Sequence, residues 1–198
     1  MTVTAAIDLA AARRAMIDSQ LRTSGINQPA VLAAMAAVRR EDHVPAAARG
    51  HAYIDRAIPL EGGGALPAPL VQAALLAQAM PQRGERALVV SAGNGYLAAL
   101  VDAMGASVEA VGAADAVAGK AFSGGFDLLL IDGAVEVLPD PLVAVLRDGG
   151  RVVTGVANGA VTSLASGLKT GGKVALATHA EMGIPVLREF AAAKSWSF

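Results

Sequence analysis

The stretch VVSAGNGYLAAL, from Val89 to Leu100, begins as an apolar run, passes two glycines spaced G-x-G and ends in a helix-forming segment. Gly93 and Gly95 let the backbone approach a ligand where a Cβ would collide, so the segment has the form of a cofactor cradle. Ser91 and Asn94 lie in the same loop, and with the two glycines they are the candidate cofactor-binding residues here. Asp132 is the fifth, because it follows the apolar run LLLI and open α/β sheets place working residues at the carboxyl ends of strands. A lone G-x-G also serves any tight turn from strand to helix, so the surrounding elements must decide between cradle and turn.

No other chemistry is spaced for a metal or a covalent nucleophile. The chain has no Cys, and His43, His51 and His179 are too widely separated to show ligand spacing. No metal is expected and no catalytic side chain is assigned.

The elements that must position the five candidates fall into two halves of one domain spanning residues 1–198. From Ile7 to Leu21 and from Pro29 to Val38 the apolar spacing predicts two helices, and Pro29 suits a first helical position. AYIDRAIPL reads as extended, EGGGALPAP as an ordered loop, and APLVQAALLAQAM as a third helix. From residue 81 onward short apolar runs alternate with Ala-rich helical pieces: RALVV, then Tyr96 to Met104, ASVEAV, FDLLLI, PLVAVL and GRVVTGV. That alternation is the βαβ pattern of a mostly parallel sheet. Ala160 to Lys169 and Lys173 to Thr178 flank TGG and predict an antiparallel hairpin at one sheet edge.

A hydrophobic content of 54% with 17% charged residues describes a compact globular chain and excludes disorder. With a net charge of −1 and scattered Lys and Arg, no nucleic-acid or membrane partner is expected. No apolar run is long enough for a bilayer, and MTVTAAIDLAAARRAM lacks the order of a secretory signal, so a cytoplasmic location is expected.

Several segments carry a family resemblance in one order along most of the chain. SQLRTSGI, AYIDRAIPL, PLVQAALLAQAM, SAGNGYLAAL and FDLLLIDGAVEVLPDPLVAVLRDGGRVV together resemble the protein-L-isoaspartate O-methyltransferases. The resemblance implies a three-layer, methyltransferase-like (Rossmann-like) α/β fold with S-adenosylmethionine as cofactor. It also implies esterification of the α-carboxylate of isoaspartyl residues in damaged proteins, and residues 1–80 then hold the N-terminal helices and an acceptor-type loop.

Three departures from the family pattern bear on that activity. The acceptor loop, G-Q-T-I-S-Q-P in the family, reads GGALPAP, so Gly64, Ala65 and Pro67 replace the Gln, Thr and Ser. Val89 and Ser91 stand at the acidic and first-glycine positions of the cofactor loop. Gly112 stands where the family has the acid that holds the ribose hydroxyls, and 113–125 is too short to carry a further strand, so the sheet is expected to lack one. A hydrogen bond to a charged group contributes roughly 1.5 to 3 kcal/mol. Losing two such contacts predicts roughly a hundred- to ten-thousand-fold weaker cofactor binding unless Asn94, Asp115 or Asp132 substitutes.

The expected function is a divergent member of this family with methyl transfer lost or strongly impaired and a binding role retained. One alternative is an active S-adenosylmethionine-dependent protein carboxyl methyltransferase with rearranged cofactor and acceptor contacts. The other is a homo-oligomeric interaction protein, because a bared sheet edge invites a second copy. Tyr53, Asp55, Arg56, Gln20 and Arg22 also match the family and are expected to maintain the fold. His43 stands at an aromatic position of the family and reads as a solvated or capping residue, while Trp196 and Phe198 are expected to anchor the tail.

Overall fold

A computed structural model describes residues 8–118 and 122–192. Helix α1 (Leu9–Met16) is capped by Asp8, whose carboxylate accepts from Ala11 N at 2.9 Å, and it continues into a π-helical turn, Ile17–Leu21. Met16, Ile17 and Leu21 form its buried stripe. Helix α2 (Pro29–Ala37) starts on Pro29 as the sequence suggests and leads into two 3-10 turns, Arg40–His43 and Ala46–His51.

The next segment differs from its sequence reading in two respects. AYIDRAIPL is extended only at β1 (Ile58–Pro59), and the glycine-rich stretch closes a small hairpin in place of a loop. In it Ile58 pairs antiparallel with Leu66 of β2 (Ala65–Leu66). Gly62, Gly63 and Gly64 have φ of 90°, 102° and 75°, a run that side-chain-bearing residues rarely adopt. Helix α3 (Pro69–Ala79) follows with Val71, Ala73, Leu75, Leu76 and Ala79 all buried, as expected of a helix enclosed by the N-terminal helices and the sheet.

The sheet is built from β3 (Arg86–Ser91), β4 (Ser107–Gly112), β5 (Phe126–Val135), β6 (Leu146–Asn158) and β7 (Val161–Thr170), with short β8 (Lys173–Val174) and β9 (Ala177–Glu181). Its order is β4-β3-β5-β6-β7, and both β8 and β9 pair with β7. The first four strands run parallel and β7 returns antiparallel to β6. Helices α4 (Tyr96–Ala103), α5 (Ala113–Val117) and α6 (Asp140–Ala144) connect the parallel strands. Among the described residues nothing pairs with the outer side of β4, and α5 is the one regular element between β4 and β5.

The C-terminal hairpin forms around Gly171 and Gly172, but its second strand is broken between β8 and β9. The cause is a close crossing: a Cβ on Gly167 would lie 2.3 Å from Ala175 O, so the returning chain bends over that glycine. Beyond β9 a strap runs back over the sheet end. Ala134 N donates to Pro185 O at 2.8 Å and Leu187 N donates to Ala134 O at 2.9 Å, with Leu187 filling the space a Cβ on Gly133 would need. Apolar side chains cover both faces of the sheet, one layer from α1 to α4 and the other from α5, α6 and the strap. Trp196 and Phe198 lie outside the described residues.

Candidate functional site

The candidate cradle forms where β3 ends. Gly93 and Gly95 have φ of 96° and 71°, so the turn needs glycine at both, and a Cβ on Gly93 would meet nothing within 4 Å. That leaves the outer side of the loop open. Its side-chain oxygens, however, are spent on the loop itself. Ser91 Oγ accepts from Gly93 N at 3.2 Å and Asn94 Oδ1 accepts from Tyr96 N at 2.9 Å, capping the start of α4. The His43 ring holds the loop from the side, with Nδ1 at 2.9 Å from Asn94 O and the ring tilted against Tyr96.

Two clefts adjoin this loop. The first, about 290 Å³, is lined by Gly62–Gly64, Ala92 and Gly93, Gly112–Ala114 at the end of β4, and Val186–Glu189 of the strap. The second, about 420 Å³, shares Glu61, Ala92 and Gly93 with the first and adds Asn94, His43 and Asp42. A Cβ on Gly64 would lie 2.8 Å from Ala92 Cβ, so the hairpin rests directly on the cradle. The absence of a side chain at the family's Gln position therefore goes with a loss of space for one.

Asp132 lies inside β5, where the sequence reading put it just past the strand, because β5 continues to Val135 through an irregular register after Leu130. It is fully buried and lines neither cleft. Both its oxygens accept from Gln72 Nε2, at 3.0 and 2.9 Å. Gln72 Oε1 accepts from Arg40, whose guanidinium also donates to Ala52 O at 2.7 Å and Pro67 O at 2.6 Å. Arg40, Gln72 and Asp132 thus form a buried relay joining the turn after α2, helix α3 and strand β5. Asn94 stands near enough to favour the Asp132 carboxylate too, although its Nδ2 makes no hydrogen bond.

Burial pushes the Asp132 carboxyl up from 3.8 to about 6, against the opposing pull of Gln72 and Arg40. The folded state then holds this proton more tightly than the unfolded chain does. Stability is expected to fall as pH rises from about 4 to 6 and to level off above, by an amount on the order of 3 kcal/mol. Urea unfolding across that range measures it, and Asp132→Asn should flatten the slope.

A second buried cluster ties down the family-like residues. Tyr53 donates to Glu41 and accepts from Arg13 Nε at 2.7 Å, while Gln20 Nε2 donates to Tyr53 O at 3.0 Å. The hydrogen bond from Tyr53, with Arg13 and Arg39 beside it, outweighs desolvation and holds the Glu41 carboxyl below its usual range. Burial and Glu41 push Tyr53 up to about 12. Asp55 Oδ1 accepts from Leu70 N at 3.3 Å in the first turn of α3, and Arg22 pairs with Asp18 at 3.4 Å.

Sequence reasoning missed Arg40, Glu41 and Gln72. For Gln72 a signal existed, since it is four residues before Leu76, on the buried face of the helix, and so needs a polar partner. For Arg40 and Glu41 none did, because RRED reads as a solvated charge run. Glu61 and Glu189 were also missed, and both are exposed carboxylates on the rim of the first cleft. Asp115 is exposed and lines neither cleft.

An open, mostly parallel sheet, a glycine turn after its strand β3 and a crevice between that turn and the end of β4 define a Rossmann-like fold of the methyltransferase class. A crystal structure from Plasmodium falciparum, described as a protein-L-isoaspartate O-methyltransferase in complex with S-adenosyl-L-homocysteine, superposes with a TM-score of 0.71. The superposition covers 93% of this chain and 100% of that one at 17% identity. A second structure, titled protein-L-isoaspartate O-methyltransferase, has a TM-score of 0.69 at 15% identity, covering 90% of this chain and 67% of that one.

The family model for Protein-L-isoaspartate(D-aspartate) O-methyltransferase (PCMT) matches residues 11–113. The protein-L-isoaspartate O-methyltransferase of Methylorubrum extorquens (strain PA1) is 35% identical over 169 residues, covering 74% of each chain. That of Methanospirillum hungatei JF-1 is 30% identical over 168 residues, covering 73% of this chain and 78% of the relative. The chain belongs to the protein-L-isoaspartate O-methyltransferase family, and S-adenosylmethionine is the cofactor that membership implies. The residues present leave room for that group beside Gly93, but those at the family's two acidic positions supply no carboxylate to it. Gly112 offers the ribose no side chain, Val89 is part of the apolar core, and Ser91 Oγ and Asn94 Oδ1 bond within their own loop.

Proposed function

We propose that this member of the family has lost, or retains only weakly, methyl transfer to isoaspartyl residues, and keeps its crevice for binding. The observation that carries the reading is the end of β4, where Gly112 borders the first cleft with no side chain to hold a ribose. The acceptor side agrees with it, since Gly64 and Ala65 present no hydroxyl and the hairpin is pressed onto Ala92. Ser91, Gly93, Asn94 and Gly95 act here as a self-capped turn, and Asp132 as part of the buried relay that supports it.

The test is a calorimetric titration with S-adenosylmethionine paired with transfer of labelled methyl to an isoaspartyl peptide. The expected result is binding weaker than micromolar and no label above blank. Micromolar binding with label transferred would overturn the proposal. A second reading, methyl transfer with rearranged contacts, is favoured by the carboxylates of Glu61 and Glu189 on the cleft rim. It predicts that Glu189→Gln abolishes transfer that the unaltered chain performs.

A further inference from the structure

We infer that the outer edge of β4 is the contact through which two copies of this chain associate, by antiparallel pairing about a two-fold axis at Ala110. The edge is regular: six consecutive residues, Ser107 to Gly112, stay in register with Arg86 to Ser91 of β3. Ser107 N donates inward to Glu85 O at 2.7 Å. Alternation along a parallel strand then turns the N–H and C=O groups of Ser107, Glu109 and Val111 toward β3, and those of Val108, Ala110 and Gly112 outward. Among the described residues nothing pairs with those outward groups.

Edges of this kind are ordinarily blunted by Lys, Pro, a bulge or a covering element. β4 has no Lys, no Pro and no bulge, and α5 folds onto the sheet face, where Ala113 and Ala116 are buried, so that among the described residues no regular element covers the edge. The one charge on the strand, Glu109, is already engaged by Ser123 Oγ at 3.1 Å. Val117, at the end of α5, is an apolar side chain 46% exposed among the described residues.

The sequence of the strand suits a second copy of itself. With the axis at Ala110, each Ala110 exchanges its N–H and C=O with the partner's Ala110, and Val108 does so with the partner's Gly112. Glu109 then lies opposite the partner's Val111, so no like charges face each other across the seam. Ala110 at the axis and Gly112 beside the partner's Val108 add little bulk to the hydrogen-bonded pairs, and the closer, non-hydrogen-bonded pairs set Glu109 against an apolar side chain. Gly112 also borders the first cleft, so this register sets the partner's Val108 at the rim where the shortened crossover leaves no wall. The contact is isologous and closes on itself, giving a dimer and no fibre.

The pairing is independent of whether the crevice binds S-adenosylmethionine. Light scattering of the full chain at high micromolar concentration should give a dimer mass, and hydrogen exchange should show the amides of Val108, Ala110 and Gly112 protected. Ala110→Glu sets two carboxylates against each other at the axis and should raise the dimer dissociation constant roughly tenfold or more, with the circular dichroism spectrum unchanged. Leu168→Glu, on β7 toward the other sheet edge, should leave the dimer intact. A monomer mass for the unaltered chain, fast exchange at the three amides, or a dimer indifferent to Ala110→Glu would each overturn the inference.

Discussion

Arg40→Met is expected to lower the unfolding free energy by about 3 to 5 kcal/mol, as removal of one partner from a buried ionic group does. Arg40 is fully buried, and its donors satisfy Ala52 O, Pro67 O and Gln72 Oε1 while the guanidinium lies 5.1 Å from the Tyr96 ring centre. Methionine fills a similar volume but leaves those acceptors without donors and Asp132 without its counter-charge. The loss should therefore grow with pH. Asp132 is protonated below about 6 and needs no cation there, whereas above that value its charge is stranded. Urea unfolding at pH 5 and pH 7.5 reads both effects. A loss under about 1 kcal/mol, equal at the two pH values, would mean the relay is not what holds α3 to β5. Arg40→Lys should fall between, since an ammonium keeps the charge but cannot reach three acceptors in a fork.

The second large effect is a gain. Gly112→Glu is expected to tighten S-adenosylmethionine binding roughly ten- to a hundred-fold, the equivalent of about 1.5 to 3 kcal/mol for a restored hydrogen bond to a carboxylate. The position can accept the side chain. Gly112 has extended backbone, φ −71° and ψ 147°, and an added Cβ would meet nothing within 4 Å. The other missing acid cannot be restored this way, because Val89 is 1% exposed among core side chains and a carboxylate there would be buried without a partner. Calorimetric titration of Gly112→Glu beside the unaltered chain is the measurement. Unchanged affinity would show that the cleft does not present a ribose to β4, and the proposed cause of the weak cofactor site would fall with it.

The sheet was legible because its signals are local. The run LLLI, Leu128 to Ile131, is apolar throughout, as a strand covered on both faces must be, and the alternation with Ala-rich helices sets the direction of such runs. The shortened crossover was legible by counting, since 113–125 cannot hold a strand and its return connection, and β4 is the outer strand observed. The glycine turn was legible too, down to Gly93 and Gly95. Less legible were the β1–β2 hairpin, whose strands are two residues each, and the break between β8 and β9, which depends on a crossing at Gly167.

Composition and order of residues by themselves determined the fold class, the family, the shortened crossover and the absence of an acid at Gly112. Which polar groups face a ligand and which face one another was decided only in three dimensions. Gln72 and Asp132 are 60 residues apart and Arg40 and Gln72 are 32 apart, so no local period encodes their meeting. A buried charge has to find its partner wherever the folded chain delivers one, and for Asp132 that partner turned out to lie beneath the crevice wall, not within it.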